Sequence, residues 1–257
     1  MRYLFSNWNK ISSKIRKSRR VCLFFDYDGT LTPIVSRPEL ARISPRVKNL
    51  IRKLRKNPKF IIAIISGRSL KNVKNMVGVK GLIYAGNHGL EIEEIGREIL
   101  KPKGASTKNL LNKIELHLKK ELRHIKGVIV EDKGCTLSIH FRLVSSRKKG
   151  LVKKIFARIV KPYVISKKIR ISAGKMVLEV RPGIDWDKGK AVQYLLGRHK
   201  KALPVYLGDD VTDRDAFRAI KRRGVSIFVG RPKKAIKADY FLKSPREVER
   251  FIKILSA

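Results

Sequence analysis

Two aspartates, separated by one residue, follow the first long apolar run of the chain. The run from Val21 to Phe25 is typical of a short buried strand, so Asp26 and Asp28 are predicted at its carboxyl end. In an open α/β sheet this end faces the ligand crevice, where Gly29 would let the backbone turn closely around a bound group. Carboxylates in this position can act as nucleophile, acid or base. Taken alone, the pair also fits an ordinary polar turn after a strand.

A second group of carboxylates, Asp209, Asp210 and Asp213, follows the apolar run Val205 to Leu207. Three carboxylates within five residues repel one another unless a cation lies among them. An acidic cap of the next helix would explain one of the three aspartates but not all of them. The cluster is informative because the chain has only 21 acidic residues against 61 basic ones. We therefore expect a cation site at this strand end.

A short motif, Ser66, Gly67 and Arg68, follows the apolar run Phe60 to Ile65, again at a predicted carboxyl end. The serine hydroxyl and nearby amides can bind a phosphate oxygen, and the arginine adds positive charge. A simple helix cap is the alternative interpretation of these three residues.

A third core strand, Leu82 to Ala85, runs into Asn87 and His88, which lie between two glycines. The glycines let both side chains project toward the same crevice, although a turn that merely needs glycine gives the same pattern. Residues 90–100 are then predicted to form a hairpin that leads out of the core and turns at Gly96.

Continuously apolar strands alternate with amphipathic helices in both terminal parts of the chain. One such helix begins at Ser44 and Pro45, a capping residue followed by a proline at the first helical position. Parallel strands that are apolar along their whole length are covered by helices on both faces. The predicted class is therefore α/β, with a Rossmann-like parallel sheet in a core formed by residues 1–101 and 184–257.

Between these two parts, the pattern changes into helix, hairpin, helix and hairpin. This order predicts a four-stranded antiparallel sheet with two helices on one face, an inserted α+β cap over residues 102–183. Hinges at Pro102-Lys103-Gly104 and Pro182-Gly183 would let the cap close over a substrate and exclude water. The predicted helices are 107–125 and 147–160, and the predicted strands are 128–132, 135–142, 169–173 and 176–181, with the second hairpin turning at Gly174-Lys175.

Polar side chains are spaced by two along the first predicted hairpin of the cap. Glu131 and Lys133 form one pair, and His140 and Arg142 form the other. Alternate residues of a strand share one face of the sheet, and Glu179 on the neighbouring hairpin could join them. This face is a candidate site for recognition of a polar ligand, with a solvated charged surface as the alternative.

The amino-terminal residues 1–20 carry Leu4, Trp8, Ile11 and Ile15 at helical spacing among many basic residues. The pattern predicts a basic amphipathic helix, which would either pack beside the first strand or lie on an acidic membrane surface. The segment lacks the continuous apolar region of a signal peptide.

The composition limits the class of protein. With 257 residues, of which 43% are apolar, the chain can bury a sizeable core. No apolar run is long enough to span a bilayer. The formal net charge is +40. The charge attracts phosphates, nucleic acid and anionic lipid, but the basic residues are spread over the whole length, which does not favour a specific nucleic-acid groove. Cys22 and Cys135 form no disulfide framework or zinc site, so we expect a reducing, cytoplasmic setting.

The motifs together resemble those of a known family. The sequence DxDGT at residues 26–30 and the later SGR resemble the first two motifs of the haloacid dehalogenase superfamily of phosphohydrolases. More narrowly, the chain from Val21 onward resembles the trehalose-6-phosphate phosphatases of that superfamily. The resemblance is carried by DYDGTLTPI, SGRS, GNHGLEI, EDKGCTLSIHFR, EVRP with DKGKA, and GDDVTDRDAF. It implies a haloacid dehalogenase core with an inserted α+β cap.

The resemblance also implies a division of roles. Asp26 would attack phosphorus to give an aspartyl-phosphate, while Asp28 would protonate the departing sugar oxygen and then activate water. Asp26, the backbone carbonyl of Asp28 and Asp209 would hold Mg²⁺, with Asp210 and Asp213 supporting them.

The remaining candidate residues would bind the two parts of the substrate. Those expected at the phosphoryl oxygens are Thr30, Ser66, Gly67 and Lys188. Those expected at the rest of the substrate are Arg68, Asn87, His88, Glu131, Lys133, His140, Arg142 and Glu179.

The expected function is Mg²⁺-dependent hydrolysis of trehalose 6-phosphate to trehalose and phosphate in trehalose biosynthesis, with a trehalose-phosphate synthase as a candidate partner. One alternative is a related phosphatase acting on mannosyl-3-phosphoglycerate or sucrose 6-phosphate. Another is a basic nucleic-acid-binding protein on a phosphatase fold. The set formed by Asp26, Asp28, Ser66, Lys188 and Asp209 argues against that last alternative, because binding alone needs none of these residues.

Overall fold

The computed structural model describes residues 1–95, 97, 99–104, 107–174 and 176–257. The chain forms two compact units. We call the unit made of Met1–Leu100 and Trp186–Ala257 the core, and the unit made of Lys101–Asp185 the cap. The assignment of catalysis to one unit and of substrate recognition to the other stays a prediction.

The secondary structure is numbered in chain order. The strands are β1 (Arg2–Tyr3), β2 (Val21–Phe25), β3 (Phe60–Ile65), β4 (Ile83–Gly86), β5 (Glu91–Glu93), β6 (Ile129–Asp132), β7 (Leu137–His140), β8 (Ile169–Gly174), β9 (Val177–Pro182), β10 (Leu203–Gly208), β11 (Val225–Val229) and β12 (Tyr240–Leu242). The α-helices are α1 (Trp8–Lys17), α2 (Pro45–Lys56), α3 (Leu70–Val77), α4 (Lys108–Leu122), α5 (Ser146–Ile165), α6 (Lys188–Arg198), α7 (Arg214–Ile220) and α8 (Pro245–Leu255).

An eight-stranded sheet forms the centre of the core, in the order β1-β12-β11-β10-β2-β3-β4-β5. Its neighbouring strands pair in parallel, except that β5 is antiparallel to β4. The side chains of β2 alternate between two hydrophobic clusters, with Leu23 and Phe25 in one and Cys22 and Phe24 in the other. Because β2 is buried on both faces, its sequence is apolar throughout. The predicted α/β class is confirmed.

The amino-terminal segment packs into the core, but its predicted helix is too long. Residues 2–3 form β1, which pairs with β12, and α1 begins only at Trp8. The Leu4 N–H donates a hydrogen bond to the carbonyl of Phe241 (3.0 Å). Leu4, Ile11 and Ile15 are 0%, 1% and 4% exposed, so the alternative in which the segment packs against the core is correct.

We expect Leu4→Ala to reduce the free energy of unfolding by about 2–5 kcal/mol, because a large buried side chain is replaced by a cavity. Urea unfolding followed by circular dichroism would measure this change. Leu40→Ala is the matched control, since Leu40 is 58% exposed. A loss equal to that of the control would show that the amino-terminal segment contributes nothing to the folded core.

The predicted hairpin after β4 is confirmed, because Ile92 pairs antiparallel with Leu100 and the cap begins at the next residue, Lys101. Its first strand also belongs to the core sheet, which the sequence did not indicate. Strand β5 pairs with β4 at the edge of the core sheet, and Ile92 exchanges hydrogen bonds with Leu100. Ile92 is 1% exposed, and its burial holds the segment against the sheet. The predicted turn residue Gly96, like Glu98, lies outside the described residues.

The cap contains the predicted four-stranded antiparallel sheet, in the order β6-β7-β9-β8. Its hydrophobic cluster joins both helices to one face of that sheet, through residues such as Leu118 of α4, Phe156 of α5 and Ile139 of β7. The predicted hinge at Pro182-Gly183 is wrong for Pro182, which ends β9 and pairs with Ile169. Lys175, in the predicted turn between β8 and β9, lies outside the described residues.

Helix α5 extends beyond its predicted end at residue 160. It continues through Pro162 to Ile165, although proline removes one helical hydrogen bond. Tyr163 and Val164 pack partly buried against the hydrophobic cluster of the cap, which offsets this loss. Within the described residues, no helix combines the length and the apolar character that crossing a bilayer requires.

Candidate active site

The carboxyl ends of β2 and β10 bring Asp26 and Asp209 together. The two strands pair with Phe25 opposite Leu207, and the Asp26 N–H donates to the carbonyl of Leu207 (2.9 Å). Asp26 and Asp209 are each 5% exposed. Gly29 has a φ of +85°, and a Cβ atom on it would lie 2.1 Å from Asp209 Oδ2. Glycine is therefore needed for the loop after β2 to approach this carboxylate.

Lys188 joins two of the buried carboxylates. It is the first residue of α6, and the side chain of Asp187 caps that helix by accepting a hydrogen bond from the backbone. The Lys188 ammonium donates to Asp26 Oδ1 (2.6 Å) and to Asp213 Oδ1 (2.7 Å). Lys188 is 3% exposed and Asp213 is fully buried. The predicted phosphate-binding lysine therefore contacts the predicted nucleophile.

Negative charge exceeds positive charge at this end of the sheet. Burial raises the pKa of Asp26 well above its ordinary value, Lys188 opposes this rise, and Asp213 and Asp209 add to it. Burial alone would lower the pKa of Lys188, but Asp213 and Asp26 raise that pKa above its ordinary value. The rise for Asp26 therefore comes mainly from burial, whereas the rise for Lys188 comes from its two carboxylate partners. Three carboxylates around one ammonium leave an excess of negative charge that a cation would neutralise.

One carboxylate oxygen each from Asp26, Asp209 and Asp213 lies within 4.8 Å of the others. The sequence prediction instead combined Asp26 and Asp209 with the backbone carbonyl of Asp28, leaving Asp213 in a supporting role. Both oxygens of Asp213 already accept hydrogen bonds, Oδ1 from Lys188 and Oδ2 from the backbone of the preceding turn. Oδ1 also accepts from the hydroxyl of Tyr206 (2.8 Å), so both lone-pair positions of that oxygen are used, which is consistent with the supporting role.

Tyr206 belongs to this network and was missed by the sequence analysis, which treated its strand as purely apolar. Its hydroxyl donates to Asp213 Oδ1 (2.8 Å), and the residue is fully buried. Burial, and then the charge of Asp213, raises the pKa of Tyr206 well above its ordinary value, so the hydroxyl stays a donor. A hydroxyl three residues before Asp209 on a buried strand was the available signal.

The predicted phosphate-binding hydroxyls are both buried. Thr30 is fully buried, and among the described residues its Oγ1 atom has no hydrogen-bond partner. Ser66 is 1% exposed, and its Oγ accepts from the Arg68 N–H (3.1 Å). A Cβ atom on Gly67 would lie 2.8 Å from the His88 ring, so the absence of a side chain there makes room for the imidazole. A phosphate oxygen would satisfy Thr30, because buried hydroxyls are normally hydrogen-bonded.

Asn87 and His88 both have left-handed backbones, with φ values of 49° and 58°, which is uncommon for residues other than glycine. Their N–H groups donate to the carbonyls of Arg68 (2.7 Å) and Ser66 (2.9 Å), so the loop after β4 holds the loop after β3. The Asn87 side chain is fully buried and donates to Glu91 (2.9 Å). Contact between Asn87 and a substrate therefore stays a prediction.

Arg68 forms a two-pronged ion pair with Asp28. Its Nε donates to Oδ2 (2.8 Å) and its Nη2 donates to Oδ1 (2.7 Å). The arginine side chain is 10% exposed, whereas that of Asp28 is 43% exposed. The residue predicted to bind substrate thus holds the residue predicted to transfer protons.

The cap brings the predicted polar residues of its sheet into two contacting pairs. Glu131 Oε2 lies 2.8 Å from His140 Nε2, and the Lys133 ammonium donates to Glu179 Oε1 (3.3 Å). The cross-strand register places Glu131, His140 and Glu179 on one side of the sheet, whereas Lys133 follows the last residue of β6. Arg142 is exposed and lies two residues beyond the end of β7.

Glu179 is held by several hydroxyl groups that the sequence analysis did not single out. It is only 5% exposed. Thr136, Ser138 and Ser172 donate to its two oxygens at 3.4, 3.3 and 3.1 Å. The cross-strand register explains the meeting, because Glu131, Ser138, Glu179 and Ser172 form one row across the four strands.

Comparison with known proteins identifies relatives over most of the chain. Residues 24–246 match the family described as Trehalose-phosphatase. The chain is similar to a probable trehalose-phosphate phosphatase 4 of Oryza sativa subsp. japonica, with 34% identity over 257 aligned positions covering 96% of this chain and 68% of the relative. Both matches include the strand ends that carry Asp26 and Asp209.

Solved structures show which fold the chain has. The fold is similar to the C-terminal domain of a trehalose-6-phosphate phosphatase from C. albicans, with a TM-score of 0.84 and 26% identity, covering 97% of this chain and 96% of that one. It is also similar to a haloacid dehalogenase-like hydrolase from Bacteroides thetaiotaomicron, with a TM-score of 0.67 and 15% identity, covering 92% and 99%. The fold is therefore a haloacid dehalogenase core with an α+β cap.

Proposed function

The chain belongs to the trehalose-phosphatase family, and on that premise we propose that it hydrolyses trehalose 6-phosphate to trehalose and phosphate through an aspartyl-phosphate at Asp26. The observation that supports this best is the buried contact of Asp26 with Lys188 (2.6 Å), beside Asp209 and Asp213. A protein that only binds ligands would not need a buried carboxylate in such a position, because burial of its charge is costly.

In the first step, Asp26 attacks phosphorus and the bond to the sugar oxygen breaks, while Asp28 gives that oxygen a proton. In the second step, Asp28 takes a proton from the water that attacks the aspartyl-phosphate, and phosphate leaves Asp26. Lys188 stabilises the phosphoryl oxygens and keeps Asp26 oriented. Thr30 and Ser66 offer hydroxyl groups to the same oxygens. Dividing the hydrolysis in this way requires two carboxyl groups with different environments, as found at residues 26 and 28.

The donor set fits a magnesium ion. Asp26 and Asp209 offer hard carboxylate oxygens, the backbone carbonyl of Asp28 would add a third, and Asp213 would orient Lys188. The excess of buried carboxylates over ammonium groups favours a cation at this position. When bound, Mg²⁺ would supply positive charge to the phosphoryl group and so reduce its repulsion of the nucleophile.

The cap is proposed to recognise the sugar part of the substrate. Trehalose offers many hydroxyl groups and no charge apart from its phosphate, so a site for it needs several polar side chains on one surface. The pairs Glu131 with His140 and Lys133 with Glu179 provide such a surface. Arg142, Arg68, Asn87 and His88 were also predicted to contact the substrate, although Arg68 is already paired with Asp28.

Release of phosphate across a panel of sugar phosphates tests this function. We expect trehalose 6-phosphate to be cleaved with the highest kcat/KM, ahead of sucrose 6-phosphate and mannosyl-3-phosphoglycerate. Chelation of divalent cations should abolish turnover, and added Mg²⁺ should restore it. Faster cleavage of either competing substrate would reassign the specificity, and full activity in excess chelator would contradict the proposed metal requirement.

A cytoplasmic location is proposed on the chemistry of the cysteines. Cys22 and Cys135 are both buried and neither forms a disulfide bond, and burial raises the pKa of Cys22 to about 12. Such thiols are poor nucleophiles and are compatible with a reducing compartment. A trehalose-phosphate synthase is the proposed source of substrate, and binding of a specific nucleic acid is not proposed.

A further inference from the structure

The Arg68 side chain is almost fully committed to contacts within the protein. Besides its two hydrogen bonds to Asp28, it donates to the carbonyl of Pro38 (2.8 Å) and to Asn72 Oδ1 (3.0 Å). A guanidinium has five N–H donors, so these bonds use four of them. At most one N–H donor is left for a sugar hydroxyl.

The same guanidinium is fixed from a second direction. Its central carbon lies over the ring of Tyr27, 5.4 Å from the ring centre. Tyr27 is itself immobilised, because it is fully buried and its hydroxyl donates to the carbonyl of Ala41 (2.6 Å). The backbone of Arg68 is held as well, by its bond to Ser66 and by the N–H of Asn87. A side chain held by this many partners is preorganised.

The two side chains of the Arg68–Asp28 ion pair differ in how far they are exposed to solvent. The side chain of Arg68 is only 10% exposed, whereas the side chain of Asp28 keeps 43% of its surface exposed. A carboxylate has about four lone-pair positions, and the guanidinium fork uses one on each oxygen. The fork therefore leaves lone-pair positions on both oxygens, and the partly exposed carboxylate can use them to exchange a proton with a leaving oxygen or a water molecule.

From these contacts we propose that Arg68 is a positioning residue for proton transfer, which fixes the carboxyl plane of Asp28 toward the reacting oxygen and is not a ligand of the sugar. The proposal rests on the hydrolysis proposed above. In the first step, the proton passes from Asp28 to the sugar oxygen as its bond to phosphorus breaks. In the second, a proton passes from water to Asp28 as the new phosphorus–oxygen bond forms and Asp26 is released.

The test exploits the different need of two leaving groups for a proton. A sugar alkoxide leaves only when protonated, whereas p-nitrophenolate leaves without a proton. We expect Arg68→Met to slow the first turnover on trehalose 6-phosphate by about 10- to 100-fold, part of the 10²–10⁴-fold range of acid–base catalysis. Its KM for that substrate should change by less than about threefold, because little ground-state binding is lost. The rate of the p-nitrophenolate burst from p-nitrophenyl phosphate should also change by less than about threefold.

Two further variants separate positioning from a general loss of structure. Lys74→Met is the matched control, because it removes another partly exposed ion pair of the core, between Lys74 and Glu93 (2.6 Å). It should leave the rates of hydrolysis of both substrates unchanged. Arg68→Lys keeps the charge but cannot form the fork, so it should show most of the defect on trehalose 6-phosphate. In a double-variant cycle, Arg68→Met should add almost nothing to Asp28→Asn, because Arg68 acts through that carboxylate.

Three results would overturn the proposal. If Arg68→Met raised the KM for trehalose 6-phosphate at an unchanged rate, Arg68 would be a sugar ligand. If it slowed the hydrolysis of trehalose 6-phosphate and p-nitrophenyl phosphate equally, Arg68 would act in phosphate binding or folding. If its effect added to that of Asp28→Asn, Arg68 would act independently of Asp28. If the wild-type enzyme cleaved a different alkyl phosphate and not trehalose 6-phosphate, only the proposed substrate would fail. That alkyl phosphate would then replace trehalose 6-phosphate in the comparison with p-nitrophenyl phosphate, and the same three results would overturn the proposed role of Arg68.

Discussion

Replacement of Asp26 by asparagine is expected to lower kcat on trehalose 6-phosphate by about 10⁴-fold or more, the scale reached when a covalent nucleophile is removed. An amide oxygen cannot form the aspartyl-phosphate under these conditions, and the uncharged group is also a weaker ligand for Mg²⁺. Phosphate release measured with Mg²⁺ in excess would show the loss. Acid quenching with labelled substrate should trap a phosphoenzyme in the wild-type protein and none in the variant.

The fold should survive this change. The asparagine side chain has nearly the same size as that of aspartate, and Lys188 would keep its bond to Asp213 (2.7 Å). The substitution also removes one of three buried carboxylates that surround a single ammonium, which relieves repulsion. We therefore expect a Tm equal to or above that of the wild-type protein, so that lost activity cannot be attributed to unfolding.

Asp215→Asn is the control for Asp26→Asn. Asp215 lies on α7 and pairs with Arg218 at 3.5 Å on the surface, so the loss of its charge should change activity and stability very little. Asp28→Asn should behave differently from both variants, losing acid and base catalysis while keeping the nucleophile. Near-normal, Mg²⁺-dependent turnover by Asp26→Asn would show that the covalent mechanism assigned to this site is wrong.

Local sequence signals predicted most elements that position these aspartates. Ser44 and Pro45 predicted the start of α2, and the Ser44 Oγ accepts a hydrogen bond from the Val47 N–H (3.2 Å). The apolar run Phe60 to Ile65 is β3 with the same bounds. Such signals succeed because a cap or a fully buried strand is specified within a few residues of sequence.

The errors occurred where distant contacts decide the structure. Residues 2–3 form a strand only because β12, more than two hundred residues later, offers a sheet edge. Helix α5 passes through Pro162 because packing of the following residues outweighs the local preference to stop. Tyr206 contacts Asp213 and Arg68 contacts Asp28 only in the folded chain. Pairings of this kind leave no periodic trace in a single sequence.

The site itself was predicted more completely than its internal contacts. The sequence placed Asp26 and Asp209 at strand ends, and parallel pairing of β2 with β10 brings those ends together. It did not indicate that Lys188 would bridge Asp26 and Asp213, because a lysine in the first turn of a helix has many possible partners. Position along the chain therefore predicted which strand ends bring Asp26 and Asp209 together, whereas the hydrogen-bond network required the fold.

Glu131→Ala is expected to lower kcat/KM for trehalose 6-phosphate by about 10²-fold, which corresponds to about 2.7 kcal/mol. Hydrogen bonds to a charged group contribute about 1.5–3 kcal/mol each, so the loss of one or two sugar contacts accounts for this size. Glu131 is suited to such contacts, because its side chain is 38% exposed while one oxygen is held by His140 (2.8 Å). Hydrolysis of a small aryl phosphate, which lacks the sugar hydroxyls, should change little.

Glu115→Ala separates the loss of this contact from a general effect on the cap. Glu115 is also an ion-paired carboxylate of the cap, bonded to Lys119 on α4 (2.7 Å), but it lies on a helix and outside the polar face of the sheet. Glu115→Ala should leave the rates of hydrolysis of trehalose 6-phosphate and of the aryl phosphate unchanged. Equal losses on both substrates with Glu131→Ala would exclude this residue from sugar recognition. A selective loss on trehalose 6-phosphate would locate specificity in the cap, because the core residues are proposed to bind only the phosphoryl group that both substrates share. Polar groups that bind sugar hydroxyls discriminate against a substrate that leaves them unpaired.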